Sequence, residues 1–282
     1  MTALGGEVSG PLEDPGGRAV PAAPGPLPPP DPVVLRLEHV SKSYGAVRAL
    51  DDVSFEARRG EVVGLVGDNG AGKSTMVKVI AGTTLAEAGT LSVEGVERRW
   101  ASPQAALSAG IETVFQDGGL AAPLSVAANL FLGREVFRSN WLGRLGFLDR
   151  AKMERETELA LSHIGMTRVS PRAAVARLSG GQRQAVAVAR AVIWGRKILI
   201  LDEPTNHLGV TEVAEVLRLV EDVRRRGICV LFISHTLPYV IEVSDRIVTM
   251  RLGRIVSQYA ASQVTTDQLV SDMTGSTRGG VK

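Results

Sequence analysis

The chain has one cysteine, Cys229, so no internal disulfide can form. That thiol lies inside the apolar run Ile228-Cys229-Val230-Leu231-Phe232-Ile233, where it reads as a small hydrophobe. No apolar stretch approaches the roughly 20 residues that a membrane span needs. The N-terminus lacks the basic-then-apolar plan of a secretory signal. The expectation is a soluble, cytoplasmic chain that reaches any membrane through a partner. Surplus charge is also missing: 32 Lys+Arg face 30 Asp+Glu, a formal net charge of +2. No strong pull toward nucleic acid follows, and no nucleic-acid partner is expected. The run Arg224-Arg225-Arg226 falls in the predicted last turn of a helix, where cations suit the dipole.

What is present is a chain of 282 residues, 44% hydrophobic, enough for a sizeable core in one large domain or two small ones. Residues 1–32 are rich in Pro, Gly and Ala without periodicity, and read as a disordered or polyproline-like tail. The folded part is expected from Val33. Val33–Val40 and Leu50–Ala57 read as strands. Val62–Val66, Ile198–Leu201 and Cys229–Ile233 are continuously apolar, as in parallel strands buried on both faces. Val213, Val216, Leu217, Val220 and Val223 recur at helical spacing before Gly227. A second helical pattern runs from Asp149 to near Gly165. Residues 117–178 carry few strand signals, and read as a helical insertion in an α/β core. No internal repeat is visible.

Three motifs carry chemistry. Gly67-Asp68-Asn69-Gly70-Ala71-Gly72-Lys73-Ser74-Thr75 is a phosphate loop between a strand and a helix. Its glycines let backbone N–H groups converge on phosphate oxygens, and the helix N-terminus adds partial positive charge. Lys73 is placed for the β- and γ-phosphates, and the Ser74 hydroxyl for Mg2+. Second, the strand Lys197–Leu201 delivers Asp202 and Glu203 at its carboxyl end. Asp202 suits Mg2+, and Glu203 suits an attacking water. Third, Leu178-Ser179-Gly180-Gly181-Gln182-Arg183-Gln184 opens the expected helical stretch Ala185 to Trp194, a second anion-holding helix end. Two such ends make sense if two copies close around two nucleotides, each site borrowing the other chain's turn.

With that Leu-Ser-Gly-Gly-Gln sequence, the chain resembles the nucleotide-binding subunits of ATP-binding cassette (ABC) proteins, from about Val33 to Gly275. The resemblance implies an α/β fold: a P-loop NTPase (RecA-like) core, an antiparallel β subdomain, and a helical subdomain at about residues 117–182. It implies ATP and Mg2+ as cofactors. Tyr44 matches the ring that stacks on adenine, and Gln116 the glutamine that senses Mg2+ and water. His235 matches the histidine that contacts the γ-phosphate. The implied Mg2+ set is Ser74, Gln116 and Asp202, and the implied catalytic set Glu203, His235 and Lys73. Ser179, Gly180, Gly181 and Gln182 would reach the opposite subunit's nucleotide. One departure is Gly209, where the family commonly has a loop Asp that signals across the dimer.

The Leu208-Gly209-Val210 loop, Gly110–Gln116, Leu124–Glu135, Arg251–Arg254 and Asp272–Gly275 are similar to ATPases that power bacterial import of ribose, xylose or fructose. That subgroup implies two transmembrane permease subunits, an extracytoplasmic sugar-binding protein, and a peripheral place on the cytoplasmic face of the membrane. Many of its members fuse two cassettes, one degraded, whereas this chain has one with its hydrolytic residues intact and a second anion-holding helix end, so a homodimer is expected. Transport of another small solute, or a soluble non-transport ABC ATPase, are the alternatives.

Overall fold

The computed structural model describes residues 32–100, 102–115, 119–163, 166–206 and 208–276. The expected tail, apart from Pro32, lies outside them. A hairpin opens the fold: β1 (Val33–Tyr44) and β2 (Val47–Arg58). Both strands are longer than the sequence suggested. Register shifts around Val40 and Lys42 break the alternation that marks a strand, yet pairing continues to Tyr44 and Val47 at the turn. The buried strand β3 (Val62–Val66) and helix α1 (Lys73–Ile80) follow. Strands β4 (Ala88–Val93) and β5 (Val96–Glu97) return to the hairpin, giving an antiparallel sheet in the order β2-β1-β4-β5.

Helix α2 (Pro103–Ser108) leads into β6 (Ile111–Val114). Four helices come next: α3 (Val126–Leu130), α4 (Trp141–Arg144), α5 (Arg150–His163) and α6 (Gly180–Trp194). Among the described residues no strand separates β6 from β7 (Ile198–Asp202). Asn129 of α3 is fully buried, and its amide is satisfied by Ala121 N and by the carbonyls of Ala121 and Ser125. Helix α6 starts five residues before the expected Ala185, because Ser179 and Gln182 form a capping box.

The chain ends with α7 (Val210–Arg225), β8 (Cys229–Ile233), α8 (Leu237–Val243), β9 (Arg246–Arg251), β10 (Arg254–Ala260) and α9 (Thr266–Thr274). All five residues expected on the apolar face of α7 are buried, and Gly227 takes the left-handed turn beyond its end (φ 77°). The arginine run is ion-paired there: Arg224 with Asp245 (2.7 Å) and Arg225 with Glu221 (3.2 Å).

The second sheet has the order β10-β9-β3-β8-β7-β6, parallel except for the β9–β10 hairpin. Strands β3, β7 and β8 are buried throughout, which explains their unbroken apolar sequences. Ile233 of β8 pairs with Leu65 on one side and Asp202 on the other. The loops that follow these three strands therefore leave the same edge of the sheet, where α/β folds hold ligands. No helix among the described residues is long and apolar enough to cross a membrane.

Candidate active site

The loop from Gly67 to Gly72 leaves β3 and turns directly into α1. Gly67 (φ 156°) passes so close to β9 that a Cβ there would meet the Met250 carbonyl oxygen at 2.4 Å. No side chain larger than glycine fits without moving backbone. Asp68, Asn69 and Gly70 are exposed at the loop crest, as is Ser74 on the first turn of the helix, whereas Ala71 is buried and Thr75 half-buried. Gly72 precedes α1 and offers no capping side chain, so the first-turn N–H groups face outward without a side-chain acceptor. Lys73 is buried, and its ammonium donates to the carbonyls of Gly67 (2.6 Å) and Asp68 (3.1 Å). Burial lowers its pKa, against the pull of Glu203, Asp202 and Asp68. The cation is thus held under the loop, beside two acids.

Those acids stand at the end of β7. Asp202 is buried, and burial raises its pKa against the opposing charges of Lys73 and His235. Glu203 adopts a left-handed backbone (φ 54°), unusual for a non-glycine residue. Its N–H donates to Ile233 O (2.9 Å), which fixes that turn across the sheet. Its side chain is only 4% exposed. The Glu203 Oε2 atom accepts from the backbone N–H of His235 (3.4 Å). The Oε1 atom lies 3.3 Å from His235 Nε2 but without hydrogen-bond geometry, and so is buried with no hydrogen-bond partner. Burial raises the Glu203 pKa, and His235 counters it. A carboxylate with one unmet acceptor is equipped to take a water proton.

His235 is half exposed, on the loop after β8. Tyr44 ends β1 with its ring 47% exposed, its hydroxyl 3.4 Å from Thr84 Oγ1 and Lys42 Nζ 5.4 Å from the ring centre. Gln116 lies outside the described residues. Ser179 and Gly180 are exposed, and Gly181 and Gln182 half-buried. Ser179 Oγ accepts from Gln182 N (3.2 Å), while Gln182 Oε1 accepts from Ser179 N (3.0 Å). Among the described residues, no hydrogen bond joins this turn to Gly67–Thr75 of the same chain. Gly209 caps α7 by backbone alone and supplies no carboxylate. Sequence reasoning missed Gln184, whose buried side-chain amide donates to Glu203 O (3.4 Å) and ties α6 to the acid. Its place two residues past Gln182, on the inner side of the helix, was the available signal.

The raised carboxyl pKa values have a measurable consequence. The folded chain keeps protons that the unfolded chain has already released. Stability of the nucleotide-free protein should therefore fall as pH rises through the window just above the ordinary carboxylate range. Below that range both states are protonated and the effect vanishes. Denaturant titrations across that window check it; an Asp202→Asn/Glu203→Gln double variant should show a flatter profile.

Comparison with known proteins shows the family. The ABC transporter family profile matches residues 50–206. The fructose import ATP-binding protein FrcA of Rhizobium meliloti is 46% identical over 86% of this chain and 94% of its own length. The xylose/arabinose import ATP-binding protein XylG of Sulfolobus acidocaldarius is 41% identical over 88% of this chain and 96% of its own length. A crystal structure of MJ1267, an ATP-binding cassette of an ABC transporter, in its ADP conformation superposes with a TM-score of 0.71 at 26% identity, covering 86% of this chain and 99% of that one. The profile match and the identity over most of both chains place this chain in the ABC transporter family as an ATP-binding cassette ATPase.

Proposed function

We propose that this chain is the ATP-hydrolysing subunit of a monosaccharide importer. The observation that carries this reading is the 46% identity to a fructose import ATP-binding protein over 94% of that protein's length. The phosphate loop and Lys73 bind the triphosphate, and Tyr44 stacks on the base. The oxygen donors fit Mg2+: Ser74 offers a hydroxyl and Asp202 a poorly solvated carboxylate. Gln116 completes that set. The ion would neutralise phosphate charge. Glu203 takes the proton of the attacking water, and His235 donates toward the γ-phosphate.

A second copy contributes Ser179, Gly180, Gly181 and Gln182 to each site, a reading supported by the lack, among the described residues, of any hydrogen bond between that turn and the loop of the same chain. Residues from about 117 to 182 form the helical subdomain. Closure and reopening of the homodimer move two permease subunits at the cytoplasmic face of the membrane, and a sugar-binding protein acts on the other side. The permease docks in a groove of about 320 Å³ whose apolar lining includes Leu107, Phe115, Leu130 and Trp194.

The test is uptake of labelled fructose, xylose and ribose in cells with and without this subunit. Uptake of at least one should be lost and restored by the intact chain. Unchanged uptake of all three, with ATPase activity intact, would remove the sugar assignment.

A further inference from the structure

Between Glu135 and Asp149 the chain makes a closed excursion. Arg138 N donates to Phe147 O (3.0 Å), and Asp149 N to Val136 O (2.7 Å). Phe137 and Leu148 form an antiparallel bridge, so the two ends are pinned together. The tip is the single turn α4, capped by Asn140 Oδ1 accepting from Leu142 N (3.1 Å). Gly143 packs onto Arg138 so tightly that a Cβ would lie 1.7 Å from its carbonyl oxygen. This is an ordered, compact loop.

Its surface is unusual. Phe137, Trp141, Leu145 and Phe147 are 52%, 69%, 64% and 54% exposed. Four large apolar side chains held outside the core by a hydrogen-bonded loop mark an interaction surface. The only charges from Val136 to Leu148 are Arg138 and Arg144, with no acid among them. Both are exposed, and neither guanidinium has an ion-pair partner among the described residues. Aromatic rings with unpaired arginines suit the boundary between anionic headgroups and acyl chains.

We propose that the Phe137–Leu148 loop docks on the surface of an anionic lipid bilayer, rings inserted at the headgroup level and Arg138 and Arg144 on lipid phosphates. The proposal rests on the importer reading for its orientation, because the loop follows directly from Leu132 and Arg134 of the permease groove. A membrane contact here would align each subunit with the bilayer before a permease is engaged.

Flotation of the full chain with phosphatidylcholine vesicles, with and without phosphatidylglycerol, tests this. Trp141 is the reporter, since Trp100 is buried and Trp194 bonds Leu130 O (2.7 Å). The expected result is flotation and a blue-shifted emission with the anionic vesicles. Arg138→Ser/Arg144→Ser should weaken the binding about 25-fold, at roughly five-fold per charge. Phe137→Ser/Trp141→Ser/Phe147→Ser should not float, while keeping basal ATPase activity. Wild type that stays in solution, or floats no better than the triple variant, overturns the proposal. So does binding only to vesicles that contain the permease, which would assign the loop to a protein partner. Uptake without vesicle binding removes this proposal and spares the importer reading; vesicle binding without uptake does the reverse.

Discussion

Glu203→Gln should lower steady-state ATP hydrolysis by roughly 10²- to 10⁴-fold, the usual contribution of a positioned general base. ATP binding should persist, because it rests on the loop amides and Lys73. The carboxamide keeps the shape of the side chain and cannot take a proton. Dimers closed on ATP should accumulate, visible by size-exclusion chromatography with ATP present. The substitution also removes a buried charge whose Oε1 has no hydrogen-bond partner. Burying an ionised, incompletely paired carboxylate is costly, so the nucleotide-free variant should melt no lower than wild type. Normal phosphate release by this variant would exclude Glu203 as the base.

Lys73→Met is expected to weaken ATP binding about 10- to 150-fold, the worth of one charge-assisted contact at about 1.5–3 kcal/mol. The side chain is already poised: its ammonium is bonded under the loop to Gly67 O and Asp68 O. Methionine fills a similar volume without the charge. The nucleotide-induced rise in melting temperature should shrink accordingly, because that rise follows ligand concentration over Kd. Thermal melts at a series of ATP concentrations measure it. An unchanged rise would show that the loop amides suffice and that Lys73 serves only to brace the loop.

The core strands were legible because burial on both faces leaves an unbroken apolar run, as in β3, β7 and β8. The hairpin was legible only in part. Its strands run past their apolar alternation, held by backbone pairing that composition does not record. The phosphate loop and the Asp202-Glu203 pair could be read because their chemistry is local in sequence. The left-handed backbone at Glu203 could not. Nothing about a glutamate favours that conformation, and the Ile233 carbonyl that fixes it comes from another strand. Gln184 was hidden for the same reason: its partner lies 19 residues away. The loop around Trp141 gave no signal of order, since glycine contacts and two long-range backbone bonds hold it rather than any periodic pattern.

The cap at Ser179 has a further consequence. A hydroxyl carries two lone pairs and one proton. Helix α6 engages a lone pair, through Gln182 N, and the Gln182 side chain fastens the serine backbone in return. The proton is left over. Fold and ligand thus draw on opposite poles of one oxygen and do not compete for it. On the proposed reading, each chain offers its neighbour a donor oxygen whose position is fixed before the two meet. Closure then needs no rearrangement of this turn, and only the rotation of one hydroxyl is left to be settled when the two copies meet.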